Sequence, residues 1–149
     1  MWALTRGAAR DPLTRSTALS IISAVPPRDG DAQAQVIRRW LAAHWRFVSD
    51  PVTAELLQDP RTTLRTILEP GGPGEASGDC DDAALLGAAL GMAVGLPVRW
   101  RVLGFAGNGG TYGHVMGYLW TGGRWLDLDV TRPLSPLPVI WRDAFVGYL

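Results

Sequence analysis

Gly78-Asp79-Cys80-Asp81-Asp82, followed by the run AALLGAALGMAV from Ala83 to Val94, is the stretch that decides the fold. The run is apolar or glycine on every side, which a helix tolerates only when it is buried. Gly95 marks its end. We therefore predict a central buried helix, with the chain's one cysteine, Cys80, where the exposed loop of residues 69–78 becomes the first helical turn. Unpaired N–H groups and the helix dipole favour a thiolate there.

The composition indicates one globular domain. The chain has 149 residues, 47% hydrophobic and 19% charged, which argues against disorder. Its zero net charge gives no reason to expect nucleic acid or an acidic membrane as a partner. A single cysteine excludes an internal disulfide and a zinc cluster built from cysteines. We expect neither a metal nor a cofactor.

The N-terminus predicts no export signal. Met1 to Arg6 leads into Asp11-Pro12 without the apolar core of a signal peptide. The apolar run after Cys80 is short and dotted with glycine, so no stretch is long enough to span a bilayer. We therefore expect a cytoplasmic protein, or one packaged into an assembly such as a virion.

Helical signals dominate the first half of the chain. Residues 1–10 resemble a loose arm, and Asp11-Pro12 begins the first helix. Three further helical segments are expected: 31–50 (capped by Asp31, with the stripe Val36, Ile37, Trp40, Leu41, His44, Phe47 and Val48), 52–57, and 62–68. We divide the chain into an arm with the first helix, 1–30, and a main domain, 31–149, which together form one compact unit.

After the central helix the apolar pattern changes from helical to alternating. Three strands are expected, over residues 98–103, 112–120 and 124–130, with a loop at 106–111. Residues 131–138 contain three prolines and cannot be regular structure, while 139–146 fits either a strand or a helix. Helices followed by antiparallel strands indicate an α+β fold, with the central helix packed on an antiparallel sheet.

Gly122-Gly123 suits a two-residue hairpin turn. With that turn, Asp129 lies diagonal to His114 on the same face of the sheet, roughly 7–8 Å away at the backbone. Asp127 lies opposite Tyr118, farther from the histidine. A three-residue loop would instead move both aspartates to the other face. The favoured turn therefore pairs His114 with Asp129.

These residues supply the groups that thiol catalysis needs. A thiolate nucleophile requires a nearby base, and the base requires an orienting partner. Cys80, His114 and Asp129 provide all three in the order of a papain-like site.

Further groups are candidates for oxyanion stabilisation or substrate binding. The backbone N–H of Cys80 is one oxyanion donor, and Trp45 or Trp40 is a candidate for the second. Asp79 and Tyr112 are further candidates for this role.

Acidic neighbours complicate the nucleophile. Asp79, Asp81 and Asp82 stabilise the first turn of a helix but oppose an adjacent thiolate. We expect Asp81 and Asp82 to point outwards to caps or partner groups. Together with Asp127 and Asp129 these carboxylates resemble ligands for a hard cation, but they lack the spacing of a ligand loop. No metal site is therefore assigned.

Four motifs in order resemble the transglutaminase-like superfamily of the cysteine protease fold: Gly78-Asp79-Cys80-Asp81-Asp82-Ala83, Gly95-Leu96-Pro97-Val98-Arg99, Gly113-His114-Val115, and Trp125-Leu126-Asp127-Leu128-Asp129-Val130-Thr131. The resemblance covers roughly residues 35–132 and implies that Cys80, His114 and Asp129 are the catalytic residues. Residues 47–60 resemble the short stand-alone members of bacterial and phage genomes. Val115 and Val130 depart from the usual Ala-Trp and Pro, and neither change removes a catalytic group.

The resemblance implies amide or acyl chemistry on a protein or peptide. Our main hypothesis is a thiol-dependent amide hydrolase or acyltransferase, with hydrolysis favoured because nothing identifies an amine site. One alternative is a non-enzymatic structural or assembly protein, possibly phage-related, that keeps the fold and would tolerate Cys80→Ala. Another is a cell-wall peptide hydrolase.

Overall fold

The computed structural model of the protein describes residues 1–51, 56–105, 112–131 and 140–148. The helices in these ranges are α1 Trp2–Ala9, α2 Pro12–Ile22, α3 Gly30–His44, α4 Pro60–Leu68 and α5 Cys80–Ala93. The strands are β1 Trp45–Phe47, β2 Ala76–Gly78, β3 Val98–Phe105, β4 His114–Trp120, β5 Trp125–Asp127 and β6 Ile140–Tyr148. The predicted α+β class is confirmed.

The central helix, α5, is buried on all sides as predicted. Helices α1 to α4 and the strands β3 and β4 all pack against it. Gly91 permits the close approach of β4, because a Cβ at this position would collide with the side chain of Leu119. The helix ends in a Schellman motif, in which Leu96 N–H donates to Gly91 O (3.0 Å) and Gly95 has φ +86°.

The main sheet has the order β5-β4-β3-β6 and is antiparallel. The predicted hairpin register is confirmed, since Tyr118 pairs with Asp127 and Trp120 with Trp125. Gly122, in the turn, has φ +95°. The last segment, which the sequence left open, is the strand β6 and pairs with β3.

The expected loose arm at residues 1–10 was wrong, because residues 2–9 form α1. Thr5 and Ala8 are fully buried. The ring of Trp2 lies edge-on to Trp100, with 5.0 Å between centroids. Small residues one turn apart let α1 approach the Ala- and Gly-rich surface of α5 closely, and so short a helix depends on this packing.

The second predicted helix is shorter than expected. It begins at Gly30, with Asp29 rather than Asp31 as N-cap, and ends at His44. Residues 45–47 form β1, which pairs in parallel with β2 inside the stretch that we expected to be an exposed loop. Phe47 and Val48 are exposed and do not belong to a helical stripe. This pairing joins distant segments, so local periodicity did not reveal it.

The remaining expectations concern the segment before α5, the loops and the division of the chain. The helix expected at 62–68 is α4, capped by Asp59. Most of the segments 52–57 and 131–138, and all of the loop 106–111, lie outside the described residues. Within the described part of the chain, no helix is long and apolar enough to cross a membrane. The division between residues 30 and 31 stays a prediction.

Candidate active site

Cys80 lies where the sequence placed it, as the first residue of α5. The side chain of Asp79 caps the helix by accepting a hydrogen bond from the backbone N–H of Asp81 (3.2 Å). Strand β2, paired with β1, leads directly into this turn. The half-buried thiol therefore lies at the positive end of the buried central helix.

His114 and Asp129 meet across the β4–β5 hairpin. Nε2 of His114 lies 2.7 Å from Oδ2 of Asp129. The other carboxylate oxygen, Oδ1, accepts hydrogen bonds from the backbone N–H (2.9 Å) and the hydroxyl (2.8 Å) of Thr131. Both oxygens of this buried aspartate therefore have partners that fix its orientation.

The ring of His114 also lies close enough to Cys80 for the cysteine to raise the pKa of the imidazole. Because Asp129 is bonded to Nε2, the nitrogen available to face the sulfur is Nδ1. The histidine thus interacts with both the cysteine and the aspartate. This is the arrangement that a thiol nucleophile, its base and the orienting group require.

The electrostatics of the pair favour its ionised form. Burial lowers the pKa of His114, but the hydrogen bond with Asp129 and the electrostatic influence of Asp129 and Cys80 outweigh burial and raise the pKa to about 9. Burial raises the pKa of Asp129, yet its hydrogen bonds with His114 and Thr131 prevail and lower the pKa to about 2. At neutral pH the site therefore holds an imidazolium beside a carboxylate.

Asp81 and Asp82 are buried, so the expectation that they point outwards was wrong. Asp82 accepts hydrogen bonds from the backbone N–H (2.7 Å) and from Nε2 (2.8 Å) of Gln58. The same Nε2 donates to the carbonyl of Ser77 (3.0 Å). Burial raises the pKa of Asp82 despite these bonds. The carboxylate therefore joins the segment before α4 to the turn that carries Cys80.

Gly78 makes this junction possible. A Cβ at position 78 would collide with Oδ2 of Asp82 and lie 2.9 Å from Nε2 of Gln58. Sequence reasoning missed Gln58, because its contact with Asp82 spans 24 positions of the chain. The sequence gives no local signal for such a contact.

Trp45 and Trp40 differ in their surroundings. The indole nitrogen of Trp45 is buried and has no hydrogen-bond partner among the described residues. Trp45 lies on β1, beside the strand that leads into Cys80. Trp40 instead stacks on His44, with 4.4 Å between ring centroids. The indole N–H of Trp45 is therefore available to donate a hydrogen bond, and its contact with an oxyanion stays a prediction.

The remaining candidates are partly assigned. Asp79 serves as a helix cap, and Tyr112 is exposed two residues before His114. A substrate contact of either residue stays a prediction. Ligand atoms of Asp79, Asp81 and Asp82 lie within 4.8 Å of one another. The carboxylate of Asp129 is instead hydrogen-bonded to His114. It therefore does not belong to this group of acidic side chains.

Comparisons with known proteins agree with the fold described above. The model of the transglutaminase-like superfamily matches residues 16–130. A candidate protease from Parabacteroides distasonis is structurally similar, with TM-score 0.63 and 14% identity over 87% of this chain and 25% of its own. A candidate cysteine protease from Cytophaga hutchinsonii has TM-score 0.57 and 20% identity over 89% and 45%. The chain thus spans less than half of either protein. No curated protein sequence matches it.

Proposed function

The chain belongs to the transglutaminase-like superfamily, and we propose that it is a thiol-dependent enzyme that hydrolyses amide bonds. The observation that carries this proposal is the hydrogen bond between His114 and Asp129 (2.7 Å), together with the proximity of Cys80 to the same imidazole. The half-buried position of the thiol at a helix N-terminus supports it. The substrate would be a protein or peptide.

The proposed reaction has two steps. The thiolate of Cys80 attacks the amide carbonyl, and the C–N bond breaks as the imidazolium of His114 gives its Nδ1 proton to the leaving amine, which leaves a thioester and a neutral imidazole. A water molecule then loses a proton to the imidazole as it attacks the thioester, and the C–S bond breaks to release the carboxylic acid and restore the thiolate and the imidazolium. Asp129 holds the ring and stabilises the imidazolium.

An oxyanion forms in both steps and needs hydrogen-bond donors. The backbone N–H of Cys80 is one candidate because it lies in the first turn of α5. We propose the indole N–H of Trp45 as the second, since it is buried and lacks a partner among the described residues. The amide of Gln58 is a poor candidate, because it already donates to Asp82 and Ser77.

The reactivity of Cys80 tests the proposal without a known substrate. We expect iodoacetamide to alkylate wild-type protein at neutral pH at least about tenfold faster than His114→Ala, because the imidazolium stabilises the thiolate. His44→Ala is a matched control, since His44 stacks on Trp40 and bonds to its carbonyl (2.7 Å). Equal rates in wild type and His114→Ala would contradict the proposal.

Product analysis then identifies the reaction. Wild-type protein incubated with a peptide digest should create new amino termini, detected by mass spectrometry, that Cys80→Ala does not create. Addition of an excess primary amine distinguishes transfer, which attaches the amine, from hydrolysis. If Cys80 is reactive but neither product forms, the proposed enzymatic activity is wrong. That result would favour the alternative of a non-enzymatic structural or assembly protein.

A further inference from the structure

A groove of about 740 Å³ lies between α3 and the β4–β5 hairpin. Arg38 and Arg39 line it from the helix, and Arg124, Trp125 and Leu126 line it from the hairpin. Asp129 also lines the groove. Because Asp129 is bonded to His114, the groove adjoins the proposed catalytic residues.

Two guanidinium groups of the groove have no ion-pair partner among the described residues. They belong to Arg38 and Arg39, which are exposed. Arg124 is paired with Asp31, at 2.7 Å between Nη2 and Oδ1, and Asp129 is paired with His114. Asp127 also lines the groove and accepts a hydrogen bond from the backbone N–H of Asp129 (2.6 Å). The two guanidinium groups outnumber this carboxylate, so the remaining charge of the lining is positive.

The remainder of the lining is partly apolar. Leu126 is buried beneath the groove, and Trp125 lies half-buried beside it with the guanidinium of Arg99 4.3 Å from its ring centroid. Arginine binds carboxylates with two parallel hydrogen bonds, and flat apolar surface accommodates the remainder of a peptide. This chemistry suits an acidic peptide segment.

We propose that this groove binds an acidic side chain of the peptide substrate through Arg38 and Arg39. The inference rests on the proposed function and adds a substrate class to it, namely peptides with Asp or Glu at a fixed distance from the cleaved bond. A nucleic acid is disfavoured, because the chain has zero net charge and the groove offers only two guanidinium groups that lack an ion-pair partner in the described part of the chain, whereas nucleic-acid binding relies on many cations.

The test measures binding in the Cys80→Ala background, so that it does not depend on catalysis. The probes are two Gly/Ser peptides with an uncharged fluorophore, one carrying adjacent glutamates and the other adjacent glutamines. We expect Arg38→Gln with Arg39→Gln to weaken binding of the glutamate peptide about tenfold or more, and to leave the glutamine peptide unchanged. Fluorescence anisotropy measures the Kd of each.

Arg10→Gln with Arg15→Gln is the matched control, because it removes the same charge from exposed positions outside the groove. The proposal is overturned if both peptides bind equally, if the control weakens binding as much, or if the glutamate peptide does not bind at millimolar concentration. Tighter binding of an oligonucleotide of equal charge would also overturn it.

The outcomes separate this inference from the proposed function. Rapid alkylation of Cys80 without an arginine-dependent preference would refute the acidic groove alone. An arginine-dependent preference without activation of Cys80 would refute the enzyme, and the groove would then be a binding site for acidic peptides.

Discussion

The end of the central helix and the β4–β5 hairpin bring their residues to the same site by different means. Cys80 depends on β1 pairing with β2 and on Asp82 bonding to Gln58, contacts between distant segments. His114 and Asp129 depend on a short hairpin, across 15 positions of the chain. The nucleophile is therefore held by long-range buried contacts, and the histidine–aspartate pair by local register.

This difference separates two kinds of sensitivity. A register fixes which face each side chain occupies, so the hairpin is sensitive to the identity of the functional group and tolerant at its turn. A buried polar junction leaves no room for extra atoms and no alternative partners, so the helix end is sensitive to volume. Substitutions in each region should therefore fail in different ways.

The largest effect is expected at Asp129. We predict that Asp129→Asn lowers kcat/KM for peptide hydrolysis by roughly a hundredfold or more, because an amide orients and charges His114 poorly. Asp127→Asn, two residues earlier in the chain, is the matched control, since its oxygen would still accept the hydrogen bond from the backbone N–H of Asp129 (2.6 Å). Its rate should stay within about threefold of wild type.

Steady-state kinetics on a peptide substrate measure both variants. If Asp127→Asn were as damaging as Asp129→Asn, the register would not be what selects the functional aspartate. That result would remove the main contrast between the hairpin and the helix end.

The next largest effect compares two glycines, one in each region. A Cβ at Gly78 would displace the carboxylate of Asp82 from Gln58, so Gly78→Ala should lower the free energy of unfolding by about 3 kcal/mol. A Cβ at Gly123 meets nothing within 4 Å, so Gly123→Ala should change it by less than about 0.5 kcal/mol. Urea denaturation measures the free energy of unfolding of both variants. Equal losses of stability would show that added side-chain volume is no more damaging at the helix end than in the hairpin turn.

The sequence predicted the hairpin half of the site well. A turn of two glycines and alternating strands determine pairing by counting, and the predicted neighbours of Asp127 and Asp129 are those observed. The buried helix was equally clear, because α5 is apolar around its whole circumference. In both cases the residues that determine the structure lie close together in the sequence.

The helix-end half was less predictable for a physical reason. Strands β1 and β2 have three residues each, which is too short to show the alternation of apolar and polar residues typical of a strand. They also lie about 30 positions apart, so the sequence does not indicate that they pair. Asp82 is a buried acidic side chain, and its burial is unfavourable unless Gln58 supplies hydrogen bonds. Helix α1 was missed because tertiary packing, rather than its own propensity, stabilises it.

The smallest effect concerns pH, and it has opposite signs at Asp129 and Asp82. The pKa of Asp129 is lowered to about 2, so its contribution to stability is present above its ordinary value of 3.8 and is lost as pH falls towards 2. The pKa of Asp82 is raised, so its contribution is present below 3.8 and is lost as pH rises through the higher value.

We therefore expect the stability difference between wild type and Asp129→Asn to shrink below pH 4, by about 2 kcal/mol in all. The difference between wild type and Asp82→Asn should instead shrink as pH rises from 4. Denaturation of the three proteins in urea from pH 2 to pH 7 measures both slopes, with Asp127→Asn as a control for the added amide. Slopes of the same sign would mean that hydrogen bonds from Gln58 compensate Asp82 for its burial as fully as His114 and Thr131 compensate Asp129. The helix end and the hairpin would then stabilise buried charge equally well, and only their tolerance of volume would distinguish them.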